Sequence, residues 1–152
     1  KNAGIEGYVL PRKEFDSNKA MTVALVDLLR KLEIDLVVLA GCMVIFTEEL
    51  VQAYPNAIMN VHPALIPSFC GEGFYGLKVH EAALSYGVKV TGATVHFVNE
   101  IPDGGEIIMQ KAVDILDDDT AETLQKRIME LAEWKILPQS VEKVCSQLIN
   151  ER

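Results

Sequence analysis

Apolar positions along the chain follow two rhythms. Met21, Leu25, Leu28, Leu29 and Leu32 recur at helical spacing behind a cap at Ser17 or Asn18, which predicts an amphipathic helix. Leu36-Val37-Val38-Leu39-Ala40 is instead unbroken and stops at Gly41, the pattern of a short strand covered on both faces in a parallel sheet. Tyr8-Val9-Leu10 predicts a short strand ahead of both. A short helix from a cap at Thr47 to about Tyr54 leads to a strand over 57–62, and strand, helix, strand in that order predicts a right-handed crossover. A loop with Gly71, Gly73 and Gly76 runs into a helix around 78–85. Strands follow over 91–98 and 106–113, joined by 99–105. Asp119 with Glu122 has the spacing of a capping box, and the helix it opens is expected to be interrupted at Pro138. Val141, Val144, Cys145, Leu148 and Ile149 mark a last amphipathic helix. The fold class is therefore α/β, a Rossmann-like, mainly parallel sheet with helices on both faces. Without repeats or a low-complexity linker, residues 1–152 read as a single domain.

Composition narrows the function. A formal net charge of −8 argues against a nucleic-acid partner, whose binders carry a basic face. No apolar run approaches the roughly 20 residues that span a bilayer, so no membrane association is expected. Cys42, Cys70 and Cys145 are too scattered for a disulfide framework or a Cys-rich zinc site. The three histidines form no HxH or HxxxH pair, so no metal is expected. A reducing cytoplasm is the expected location.

Candidate chemistry centres on IMNVHPALIP, residues 58–67. Side chains two apart on a strand share a face, so Ile58, Asn60 and His62 point one way and Met59 and Val61 the other. Asn60 and His62 are then roughly 6–7 Å apart at the C-terminal end of a strand, where open α/β sheets bind ligands. An amide N–H and an imidazolium N–H converging on one oxygen would stabilise an oxyanion. The plainer alternative is a turn-forming Asn and a hydrogen-bonded filler His. Asp103, in a Pro-Asp-Gly-Gly turn, is either ordinary turn chemistry or an acid that holds His62 protonated and relays a proton. Thr94 and His96 alternate in phase on the preceding strand and line the same pocket or fill it.

Asn60-Val61-His62-Pro63-Ala64-Leu65-Ile66-Pro67, then Gly92-Ala93-Thr94-Val95-His96-Phe97-Val98, then Asp103-Gly104-Gly105 together resemble the folate-dependent formyltransferases. The Asn-x-His-Pro form, followed by Asp-Gly-Gly and Ile-Ile-x-Gln, is most similar to the branch acting on glycinamide ribonucleotide in purine synthesis. The resemblance implies the formyltransferase fold and an Asn–His–Asp site on Asn60, His62 and Asp103. It implies 10-formyltetrahydrofolate as cosubstrate, no metal, and an amine acceptor that attacks the formyl carbon. It places the pterin of the reduced folate between Met43, Val44, Ile45, Phe46 and Val51 on one side and Glu100, Ile101, Gly104 and Gly105 on the other. Glu133 and Pro63 fall to the ribonucleotide, and His80 is taken as structural. Val44 and Asn18 stand where basic residues assist the folate tail in the family, leaving Lys19 as a substitute cation. The family's opening βα units, with the turn that cradles the acceptor phosphate, have no counterpart before Lys1. The chain is thus expected to be N-terminally incomplete and prone to self-association through a bared sheet edge. The alternatives are a 10-formyltetrahydrofolate hydrolase, which the Pro67-Ser68-Phe69-Cys70-Gly71 loop also resembles, and a catalytically silent folate-binding module.

Overall fold

The computed structural model describes residues 3–42 and 44–150. Four strands, β1 (Val37–Leu39), β2 (Ile58–His62), β3 (Val90–Phe97) and β4 (Ile107–Asp114), form one sheet in that order. The expected α/β fold is present, and its parallel arrangement lies at the start, where β1 pairs with β2. The two later pairings, β2–β3 and β3–β4, run antiparallel. Unbroken apolar runs report coverage of a strand but not the direction of its neighbours. The pairing of β2 with β3 sets Asn60 opposite His96 and His62 opposite Thr94.

β2 is buried on both faces by different cores. Met59 and Val61 face a cluster with Val95, Leu124, Ile128 and Ile136. Ile58 faces another, built on Val26, Leu50 and Tyr54. The alternation read from the sequence therefore holds along the strand that matters most. β1 departs from expectation: it is an edge strand, and Val38 is 38% exposed while Val37 and Leu39 pack inward. Residues 8–10 form no strand, and Tyr8 and Val9 are exposed.

Helix α1 (Asn18–Lys31) starts where Ser17 accepts the Ala20 N–H, and α2 (Glu48–Ala53) packs beside it. α3 (Leu77–Tyr86) ends on Gly87, whose φ of 84° suits the left-handed cap. α4 (Ala121–Ile128) opens one residue later than predicted. Thr120 and Thr123 form the reciprocal box, while Asp119 accepts the Leu116 N–H and the Thr123 hydroxyl and pairs with Arg127. Five residues of π-helix, Met129–Glu133, then join α4 to α5 (Trp134–Asn150). Pro138 does not interrupt the helix as expected but lies within α5, in its second turn, where the proline's missing N–H costs one rung of the ladder.

Candidate active site

The end of β2 carries both polar groups of the opening motif. His62 is buried, 4% exposed, and donates its Nε2–H to the Phe69 carbonyl at 2.8 Å. Its Nδ1 stands 3.5 Å from Asp103 Oδ2. Asn60 Nδ2 lies 3.4 Å from His96 Nε2, and the same His96 nitrogen is 3.5 Å from Asp103 Oδ1. His96 gives its Nδ1–H to the Phe97 carbonyl at 2.7 Å. Asp103 thus sits between two imidazoles that have each already given one N–H to a backbone carbonyl. A proton on the second nitrogen of either ring meets the same carboxylate.

The backbone around Asp103 is shaped to put it there. Asp103 has a left-handed φ of 54°, a conformation that Asp tolerates better than most residues. Asn99 closes the turn from within by accepting the Ile101 N–H at 3.0 Å, and the Gly104 N–H reaches the Ile101 carbonyl at 2.9 Å. A side chain at Gly105 would bring its Cβ to 1.8 Å from the Phe97 carbonyl oxygen, so the close approach of the turn to β3 requires glycine. Burial works against the charged Asp103 carboxyl. The His96 contact, the Gly71 N–H at 2.8 Å and the charges of His62 and His96 outweigh it and hold the carboxyl below its usual range.

Thr94 does not face the site as a lining group. Its hydroxyl donates to the Ala64 carbonyl at 2.7 Å and accepts the Ile66 N–H at 3.1 Å and the Gln110 amide at 3.0 Å. It fastens the segment that follows His62 to the sheet. His96 is a partner of Asp103 rather than a filler.

A cleft of about 320 Å³ opens over these groups. Asn60, His62 and Asp103 form one wall, with Gly41, Cys42 and Pro63 beside them. Phe74, Tyr75, Gly76 and His80 come from the loop before α3 and from α3 itself. Gln125, Met129 and Glu133 complete it from α4 and the π turn. Burial raises the Glu133 carboxyl above its ordinary range. Among the described residues, no group of three or more His, Cys, Asp or Glu is placed to hold a metal ion. None of the described helices is long and apolar enough to cross a membrane.

The family described as formyl transferase is matched by residues 1–141. The chain is 42% identical, over its whole length, to the chloroplastic phosphoribosylglycinamide formyltransferase of Arabidopsis thaliana, of which it covers 52%. It is 39% identical to the phosphoribosylglycinamide formyltransferase of Bacillus subtilis, over 92% of this chain and 69% of that protein. The chain belongs to the formyl transferase family. Among solved structures of the family, the phosphoribosylglycinamide formyltransferase of Streptococcus pneumoniae TIGR4 superposes with a TM-score of 0.85 at 38% identity, over 94% of this chain and 76% of that one. Glycinamide ribonucleotide transformylase 1 of Symbiobacterium toebii gives the same TM-score at 39% identity, over 92% and 63%. The chain spans about half the length of the plant relatives it matches.

Within this formyl transferase chain, the segments expected to hold the folate are only partly gathered at the cleft. Met43 lies outside the described residues. Val44 and Ile45 are exposed, whereas Phe46 and Val51 pack against the Val26–Leu50–Ile58 core. Glu100 and Ile101 are exposed at the turn, and Gly104 and Gly105 shape that turn. None of the described residues among these lines the cleft, while Gly41, Cys42 and Asp103 beside them do. Lys19, the substitute cation for a folate tail, pairs with Glu49. Cys42, which opens the segment expected against the pterin, does line the cleft, whereas Tyr75, Gln125 and Met129 reach it from segments whose partners across the cleft are distant in the chain. His80, taken as structural, also reaches it.

Proposed function

We propose that the protein transfers a formyl group from 10-formyltetrahydrofolate to the amine of 5'-phosphoribosylglycinamide, a step of de novo purine synthesis. The observation that carries this reading is the convergence of Asn60, His62 and Asp103 on one wall of a cleft. The acceptor amine attacks the formyl carbon and the carbonyl oxygen gains negative charge. Asn60 Nδ2–H and an N–H of protonated His62 stabilise that oxygen. For this, His62 exchanges the Phe69 carbonyl for the formyl oxygen, so the loop between Pro67 and Gly76 yields as substrate enters. Asp103, 3.5 Å from the His62 Nδ1, helps carry the amine proton to the departing folate nitrogen. Collapse of the tetrahedral intermediate releases tetrahydrofolate and the formylated amide.

The donor is assigned to the side of Gly41, Cys42 and Asp103. Val44, Ile45 and Ile101 adjoin these residues in sequence, and their exposed apolar side chains suit a flat apolar ring. The acceptor is assigned to Pro63 and Glu133, whose carboxylate suits ribose hydroxyls. Chemistry of this kind needs no metal. Formyl-donor consumption and tetrahydrofolate release, followed with and without phosphoribosylglycinamide in the intact protein, test the proposal. Acceptor-dependent release supports it. Equal release without acceptor assigns the hydrolase reaction instead, and no release in either case assigns a silent binding module.

A further inference from the structure

His80 lies on α3 at 1% exposure and lines the cleft that holds Asn60, His62, Asp103 and Glu133. Its Nε2 is buried with no hydrogen-bond partner among the described residues. Buried polar atoms are nearly always paired, so an unpaired one on a residue that lines the cleft marks a place kept for a ligand atom. A core histidine would be expected to spend a ring N–H on a backbone carbonyl, as His62 does through Nε2 and His96 through Nδ1. Burial first, and the charge of His62 second, hold the His80 imidazole down at about 4. It is therefore neutral across physiological pH, and a neutral ring can accept an N–H without bringing charge to the site. A cationic ring there would repel an amine that still carries its proton. A base this weak does not take the amine's proton for good, so its role is contact and orientation.

We propose that His80 is an acceptor-side contact, whose uncharged Nε2 accepts an N–H from the amine-bearing arm of the acceptor and turns the amine toward the formyl carbon held at Asn60 and His62. The inference rests on the formyl-transfer reading above and extends it to a residue that neither Glu133 nor the Asn–His–Asp group covers. It requires specificity to fall on one substrate only: the contact is to the acceptor, not to the folate.

His80→Leu and His80→Gln in the intact protein test this, with KM measured separately for each substrate. His80→Leu should raise KM for phosphoribosylglycinamide about tenfold or more and leave KM for the formyl donor within about twofold. His80→Gln, which restores an uncharged polar atom, should recover most of the loss. An unchanged acceptor KM in folded His80→Leu overturns the proposal, as does an equal rise for both substrates or a glutamine variant no better than leucine. Because a buried substitution can compromise folding, the wild-type protein labelled with ¹⁵N-histidine supplies a second reading. The His80 Nε2 resonance should move on titration with phosphoribosylglycinamide and stay in place with folate alone. No movement at saturating acceptor overturns the assignment. Absence of acceptor-dependent turnover in wild type, by contrast, removes the proposed function, and the titration then decides the fate of the His80 contact by itself.

Discussion

His62 Nδ1 and Asp103 Oδ2 stand 3.5 Å apart, although they belong to segments far apart in the chain. The contact links the end of β2 to the turn after β3, and the Gly71 N–H shares the same carboxyl oxygen. Asp103→Asn keeps the shape of that turn and removes its charge. Turnover should fall about 100-fold or more, as for loss of a general acid–base partner. The sign of the stability effect follows from the lowered carboxyl. Asp103 contributes stability above its usual 3.8, and that contribution is lost as pH falls through the depressed value. Urea midpoints of wild type and Asp103→Asn should therefore differ at neutral pH and converge in strong acid. A gap that persists unchanged into acid would assign the difference to packing.

Asn60→Ala should lower turnover about 10²–10³-fold, the usual cost of one oxyanion donor, with thermal unfolding nearly unchanged. The side chain opens on the cleft and contacts His96 at 3.4 Å, so little packing is lost. Near-normal turnover in the folded variant would remove Asn60 from the oxyanion site.

Thr94→Val is close to isosteric and deletes a hydroxyl that joins Ala64, Ile66 and Gln110. Leaving those groups short of a partner should cost about 1–3 kcal/mol in chemical denaturation. Turnover should fall with it, because the segment behind His62 is no longer fastened. Full stability in the variant would show that the three groups find other partners.

Asp119→Ala should destabilise the start of α4. The Leu116 N–H, the Thr123 hydroxyl and Arg127 all lose an acceptor, and the expected cost is about 1–3 kcal/mol. Arg127 holds the Asp119 carboxyl down at about 2, so this contribution is fully present above 3.8 and is lost as pH falls from there through about 2. The catalytic pH profile should not move, since Asp119 does not line the cleft.

Much of this arrangement is legible in the sequence. From Met59 to His62 apolar and polar residues alternate, and the two-residue repeat of a strand puts Asn60 and His62 on a common face. Asp103 was different. Its Pro-Asp-Gly-Gly setting is ordinary turn chemistry, and only the combined motifs tied it to His62. The part of Thr94 was hidden because its three partners come from Ala64, Ile66 and Gln110, a meeting decided by antiparallel register rather than by local pattern. His80 was hidden for a related reason: helical spacing accounts for its burial, but not for what its ring nitrogen lacks. The cap of α4 was misread by one residue because Asp119 and Thr120 are both good caps, and Arg127 had already engaged the aspartate.

Leu124, Ile128, Ala132, Ile136, Ser140 and Val144 are all buried, one at every fourth position. An α-helix turns once in about 3.6 residues, so each such step swings the next side chain roughly 40° further around the axis. Carried on unbroken, the stripe would wind away from the sheet before the chain reached Val144. The π turn acts as a phase correction: its wider winding slows the rotation midway and returns the second half of the stripe to the same face. Glu133 occupies the residue where the correction is made. Removing one residue here would return the helix to plain α winding, which keeps the buried stripe on one face by itself. The extra residue is therefore not required by the core, and what the irregular turn governs is the place of Glu133 on the cleft.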